Sequence, residues 1–288
     1  MRTKRKILAV LKYVAVFLVF LCTVLPIFWM FVCSISKTKY LISMDSPILP
    51  LEITFERYES IFAVRTSELG VKTAGEVFRI ATKNSLIVAV LTTAISLAVG
   101  TLAAYAFARL RFKKKDALLS FSLFAQMLPA IALIIPMFFI FKKLEMNDRL
   151  ITLVLVYISF VLPYVIWVLN GYFKTIPKDL EDAARIDGCS RLRAFVQVVV
   201  PISGPGFVAV GVLAFLMSWD EFMYSLLLIT SQTNKTIPVA ISEFSSQFGV
   251  DYGMMMTGGC IATVIPLALA LIFQKWISMG LTSGAVKE

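Results

Sequence analysis

Six stretches of the chain run for 23 to 26 residues without an Asp, Glu, Lys or Arg: 13–36, 84–108, 117–141, 150–173, 194–219 and 252–274. A helix needs about 20 apolar residues to cross a hydrocarbon layer about 30 Å thick. Each window is therefore long enough to span, with some tilt. None alternates polar and apolar residues as a barrel strand does. The soluble alternative would need six consecutive helical cores of unusual length. The pattern predicts an all-α polytopic membrane protein with six transmembrane helices. It divides the chain into a basic tail at 1–12, a transmembrane domain at 13–276 and a second tail at 277–288. The first window exceeds the roughly 7–15 apolar residues of a cleaved signal, and no small-x-small site follows it. Met30-Phe31-Val32 before Cys33 is unlike a lipoprotein cleavage site. The first span is expected to remain in the protein.

Composition then excludes whole classes. Hydrophobic residues make up 59% and charged residues 16%, against about 45–50% and roughly 25% in soluble domains; mean hydropathy is +0.84. The absence of histidine removes Ser-His-Asp and Cys-His catalysis, His-ligated metals and His-based pH switches. The four cysteines, Cys22, Cys33, Cys189 and Cys260, form no CxxC pair, so neither a disulfide framework nor a metal site is expected.

The net charge of +10 would suggest nucleic acid on a soluble protein. Here its distribution reports topology. With the spans alternating, 17 of the 28 basic residues fall on the side of the N-terminus, and that side carries +11, the other +1, with −2 from Asp220 and Glu221. Basic residues favour the cytoplasmic side. Both termini are therefore expected in the cytoplasm, with no nucleic-acid partner.

Among the loops, Arg109-Leu110-Arg111-Phe112-Lys113-Lys114-Lys115 reads as a basic turn that sets topology beside anionic membrane lipid. The long outer loop 37–83 has room for a short helix carrying Phe55, Tyr58, Ile61 and Phe62, with Thr54 as its cap. The informative segment is 174–193. Pro177 suits a first helical position, and Asp179, Glu181 and Asp182 oppose the positive end of a helix dipole. Gly188 can adopt the left-handed conformation that ends a helix, and Ser190 can cap the next one. Leu180, Ala183, Ala184 and Asp187 recur at i, i+3, i+4 and i+7 on one face. Small alanines permit close approach, and four acids make a poor lipid-surface helix. Docking on protein and a solvated connector are the two readings this face allows.

Glu181-Asp182-Ala183-Ala184-Arg185-Ile186-Asp187-Gly188, with Val200-Pro201 beyond it, resembles the EAA loop of inner-membrane permeases of binding-protein-dependent ABC importers. The wider pattern is similar to the sugar branch, specifically the maltose-type second permease. It includes Asn84-Ser85, Ala104-Tyr105-Ala106-Phe107-Ala108-Arg109-Leu110-Arg111-Phe112, Gly171-Tyr172-Phe173-Lys174-Thr175-Ile176-Pro177, Trp219-Asp220-Glu221-Phe222 and the terminal Gly280-Leu281-Thr282-Ser283-Gly284-Ala285-Val286-Lys287. Together these cover most of the chain in the family's order. Two departures touch the outer half: the family usually has Asn where Asp220 stands, and residues 63–80 are more polar than its pattern.

The resemblance implies a non-catalytic permease subunit for a sugar or oligosaccharide, in a bacterial-type inner membrane. It implies a second homologous permease, a cytoplasmic dimer of ATP-binding subunits and an extracytoplasmic solute-binding protein as partners. Residues 174–193 would be the coupling loop that docks on the ATPase. Within the coupling set, which includes Asp182, Glu181 would serve for polar contact and helix orientation, Ala183 and Ala184 for close packing, Asp187 as an ion pair or cap, and Gly188 for the turn. No GxxxxGK[ST] phosphate loop is present, so this chain is expected to need no cofactor, with ATP and Mg²⁺ held by the partner ATPase. A permease for a non-sugar solute and, less well matched, a secondary transporter are the alternatives. The latter would need an ion site and usually internal repeats.

Asp220 and Glu221 are the acids placed within the membrane, where charge is costly and often functional. They either face water or a partner at the outer end of span 5, or line a translocation pathway and bind sugar hydroxyls. Pro201 and Gly204-Pro205-Gly206 are expected to break or kink the start of that span. Met254-Met255-Met256 opens the last span and reads either as adaptable lining or, the commoner case, as ordinary lipid-facing filler.

Overall fold

The computed structural model describes residues 2–43, 49, 50, 52–63, 73–246 and 249–282. Helices dominate: α1 (Arg2–Ile35), α2 (Thr38–Ile42), α3 (Glu56–Phe62), α4 (Ala74–Arg109), α5 (Lys115–Ala125), α6 (Ala130–Lys143), α7 (Leu150–Thr175), α8 (Asp179–Ile186), α9 (Arg191–Ala194), a π-helical turn (Phe195–Val199), α10 (Val200–Ile202), α11 (Gly204–Trp219), α12 (Met223–Leu228), α13 (Ile237–Ser242) and α14 (Tyr252–Thr282). One two-residue hairpin, β1 (Ser245–Ser246) with β2 (Gly249–Val250), is antiparallel, Ser245 facing Val250. The protein is a helical polytopic membrane protein, as the charge-free windows predict.

The windows do not all become single helices. Leu8–Ile35, Ala74–Arg109, Leu150–Thr175 and Tyr252–Met279 are each long and apolar enough to cross a membrane. The fifth window is a bent pair, Arg191–Ile202 and Gly204–Trp219, meeting at 75°. This is the break expected from its prolines and glycines, because Pro removes a helical N–H and cannot follow an unbroken turn. Window 117–141, expected as one span, is instead divided between α5 and α6. Pro129 stands just before α6 in an extended conformation, ψ 129°, and a proline also pushes the residue before it out of the helical region. The basic tail 1–12 continues into α1 as helix from Arg2. Residues 283–288, on which the end of the terminal motif falls, and 64–72 of the outer loop lie outside the described residues.

The chain forms two compact units, Met1–Arg79 with Ala240–Val264 and Ile80–Val239 with Ile265–Glu288. In the first unit, Arg57 of α3 is buried. It donates to Ser34 O at 3.1 Å, Ser36 O at 2.7 Å and Thr38 Oγ1 at 2.9 Å. Those acceptors tie α3 to the end of α1. The short outer-loop helix expected from the sequence is α3. Thr54 accepts from the Glu56 N–H at 3.3 Å, serving an orphan donor of the first turn from one position before the cap. Ile61 is buried and Phe55 and Phe62 are exposed. Beside it, Glu52 accepts from Lys37 and Lys39, which hold its carboxyl down at about 2.

The second unit is organised on α7. Leu169, Phe173, Val161 and Val165 pack with Ala104 and Tyr105 of α4, Phe195 and Val199 of the π turn and Val210 and Ala214 of α11. A second cluster joins Leu153, Val156 and Tyr157 of α7 to Ile134 of α6 and Tyr224 and Leu228 of α12. Lipid is as apolar as these side chains, so close packing and hydrogen bonding, more than exclusion of water, hold such contacts. Gly100 shows the closeness: a Cβ there would lie 2.7 Å from Val165 Cγ1.

Candidate functional site

The segment expected to form helix, glycine turn and helix does so. Pro177 precedes α8 and does not open it: Lys178 is the cap residue, and its carbonyl accepts from Glu181 N at 2.9 Å and Asp182 N at 3.0 Å. Asp179, Glu181 and Asp182 occupy the first turn, where their charge complements the dipole. Gly188 has φ +89°, the left-handed conformation in which a side chain costs roughly 1–2 kcal/mol. Around it, Cys189 N reaches Ala184 O at 3.0 Å and Gly188 N reaches Arg185 O at 3.1 Å, the paired bonds of a Schellman ending. Ser190 Oγ accepts from Arg193 N at 3.3 Å and caps α9. The loop is therefore a locally determined, preformed element.

Its two faces differ. The inward face is Glu181, 7% exposed. Its Oε2 accepts from Tyr105 Oη at 2.8 Å and its Oε1 from Arg109 Nε at 2.5 Å. Arg109 Nη2 also donates to Ile176 O at 2.8 Å. The ion pair is enclosed, with side-chain exposures of 6% for Arg109 and 10% for Glu181. The Tyr105 ring packs on Phe195 at 4.3 Å and edge-on to Phe173 at 6.4 Å. Such an enclosed pair is satisfied only while all its partners stay in place.

The outward face carries Leu180, 43% exposed, and Ile186, 87% exposed, with Ala183 exposed between them. These three recur at i, i+3 and i+6, one side of the helix. Asp187 and Gly188 are exposed at its end, and Ala184 is half-buried. Asp182 is exposed and faces Arg185 at 3.6 Å. A small cavity of about 160 Å³ adjoins the ion pair, and Arg109, Arg111, Lys178, Arg185 and Arg191 line it together with Glu181 and Asp182.

The structure thus gathers Glu181, Asp182, Ala183, Ala184, Asp187 and Gly188 on one element, with Glu181 turned away from the rest. Ile186, Tyr105 and Arg109 were not singled out as site residues from the sequence. Ile186 was legible as a large aliphatic at the exposed end of a polar helix. Tyr105 and Arg109, spaced i, i+4, were visible only as part of a motif.

Asp220 and Glu221 lie elsewhere, at the junction of α11 and α12. Asp220 is exposed and ends α11. Glu221 caps α12: its carboxylate accepts from Tyr224 N at 2.9 Å and Ser225 N at 3.3 Å, two of the orphan donors of a helix start. Its hydrogen-bonding capacity is directed into the fold. No group of three or more Cys, Asp or Glu side chains able to hold a metal lies among the described residues.

The molecule is thus a multi-pass helical membrane protein that carries a capped, partly apolar helix, α8, between two of its apolar segments. Residues 96–282 match the family described as the binding-protein-dependent transport system inner membrane component, and the chain belongs to that family. It is 37% identical over 265 residues, covering 91% of this chain and 92% of the relative, to the trehalose transport system permease protein SugB of Mycobacterium tuberculosis. It is 33% identical over 274 residues, 95% of this chain and 94% of the relative, to the trehalose/maltose transport system permease protein MalG of Thermococcus litoralis. In fold it is similar to a chain of a bacterial ABC transporter involved in the import of the acidic polysaccharide alginate, at TM-score 0.72 and 21% identity, covering 94% of this chain and 96% of that one.

Proposed function

We propose that this chain is the permease subunit of a sugar or oligosaccharide ABC importer, with α8 as its coupling helix. The observation that carries the sugar assignment is likeness along nearly the whole chain to permeases named for trehalose and for trehalose/maltose. The observation that carries the coupling role is the Leu180–Ala183–Ile186 stripe. Leu180, Ala183 and Ile186 together make a contiguous apolar patch on a helix rich in charged residues, the kind of surface that marks an interaction site.

In this reading both termini and α8 face the cytoplasm, following the excess of basic residues on that side. A dimer of separate ATPase subunits binds ATP and Mg²⁺ and receives α8 in a groove. A homologous permease completes the pathway, and an extracytoplasmic binding protein delivers the sugar. This chain contributes no reacting group; its α8 transmits the movement of the ATPase to the spans.

The test is purification with its genomic neighbours followed by uptake of labelled disaccharides and oligosaccharides in vesicles. A stable complex with an ATPase and ATP-dependent uptake of a sugar are expected. Transport by this chain alone, without ATP, would overturn the reading. On the stripe, Ile186→Asp and Ala183→Arg are expected to abolish co-purification of the ATPase while membrane insertion remains normal. ATPase binding that survives both changes would remove α8 from the interface.

A further inference from the structure

The inward face of α8 is tied to a distant part of the chain by polar bonds that an ATPase-facing glutamate would not need. Both carboxylate oxygens of Glu181 are occupied from within the protein, by Tyr105 and Arg109. These two donors stand one helical turn apart at the end of α4, so they project to the same side. The other arm of Arg109 holds Ile176 O, the residue that ends α7. One guanidinium therefore joins the ends of two spans to α8. Among the described residues, the α8 side chains make no other hydrogen bond or ion pair beyond their own helix; the Asp182–Arg185 pair is internal to it.

From this geometry we propose that Arg109 and Tyr105 are positioning residues of the coupling step. They clamp α8 to the end of α4, so that a displacement imposed on α8 is delivered to that span. The proposal deepens the coupling-helix reading and rests on it. The physical reason is the enclosure of the pair. If α8 shifted without α4, a carboxylate and a guanidinium would be left buried and unpaired, which is strongly disfavoured. The three parts therefore move as one body. Glu181 then acts through the permease itself, and contact with the ATPase falls to the exposed stripe. The same arrangement accounts for two motifs 72 residues apart in the chain: the arginine of Ala108-Arg109-Leu110 and the glutamate of Glu181-Asp182-Ala183-Ala184 are two halves of one bond.

The test uses the assembled transporter in vesicles, reading sugar uptake and ATP hydrolysis in parallel together with ATPase content. Arg109→Gln and Glu181→Gln are each expected to lower the ratio of uptake to hydrolysis by about tenfold, within the usual range for coupling between separate sites, with the ATPase still bound. Arg109→Lys, which can reach only one of the two acceptors, and Tyr105→Phe should give smaller losses. The exchange Arg109→Glu with Glu181→Arg should recover part of the ratio. An unchanged ratio in the single variants overturns the proposal. So does loss of ATPase binding in Glu181→Gln alone, which would turn Glu181 towards the ATPase. Loss of assembly in both Gln variants without recovery in the exchange would make the pair a fold requirement and overturn it as well. Absence of an ATPase from the unmodified complex would instead sink the coupling-helix reading on which the proposal rests.

Discussion

Glu181 and Asp148 are both carboxylates that gather several donors at a loop of the second unit, and they are neutralised in opposite ways. Glu181 is held by a cation, Arg109, at the border between an apolar cluster and a small polar cavity. Asp148 is held by neutral groups: its Oδ1 accepts from Thr230 N at 3.0 Å, Ser231 N at 2.9 Å and Ser231 Oγ at 3.0 Å. Its own backbone completes the clasp, donating to Leu228 O at 3.1 Å and accepting from Asn234 Nδ2 at 2.5 Å. A carboxylate on a half-buried loop can be satisfied by amide dipoles. Glu181, only 7% exposed, is met by a full opposite charge, which buried carboxylates need. The difference teaches what each bond is fit for. A clasp built from backbone N–H groups fixes one loop on another. A charge pair between side chains can carry an element as a unit.

Glu181→Ala should give the largest loss. It strands a buried guanidinium, and the expected cost is about 3–5 kcal/mol, read by thermal unfolding of the purified permease. A cost under about 1 kcal/mol would mean that water reaches the pair, and the contrast with Asp148 would collapse. Asp148→Ala should cost about 1–3 kcal/mol, the range for removing the acceptor of charge-assisted bonds, and should expose the Thr230 and Ser231 amides to hydrogen exchange. Equal costs for the two changes would show that enclosure does not set the difference.

Acid sharpens the comparison at Asp148. Burial raises its carboxyl, but the donors from Ser231 and Thr230 outweigh that and hold it below the ordinary value. A depressed folded pKa contributes stability that is present above the unfolded value, about 3.9, and is lost as pH falls through the folded one. Protection of the Thr230 and Ser231 amides should therefore persist down to about pH 4 and fade below it. Protection that fades already near neutral pH would contradict the direction of this shift. The smallest effect belongs to Arg185→Ala. It removes an exposed pair at 3.6 Å and should change stability by no more than about 0.5 kcal/mol.

The helical membrane class, five of the six windows as helix or bent pair, and the ordered features of the α8 loop were all readable in the chain. Gly188, Ser190 and the acids of the first turn act through bonds within a few residues, so spacing alone locates them. The division of window 117–141 was less legible. Its prolines were visible, but proline also sits within continuous spans, as Pro163 does in α7. The orientation of Glu181 was hidden because its partners are more than 70 residues away, among residues whose charge was already accounted for by topology. Glu221 is a related case: its bonds to the Tyr224 and Ser225 amides depend on where the next helix starts, which a charge-free window does not show.

What the amino-acid order determined by itself is which segments are apolar enough to span a membrane, where the α8 loop turns and to which family the chain belongs, because these depend on local composition, motifs and short-range bonds. What only the tertiary structure decided is which face of each element is inside. In a span that is apolar all round, periodicity does not mark a buried side. A single arginine at the end of α4 becomes a clamp only when the fold brings Ile176 and Glu181 within reach of its two arms.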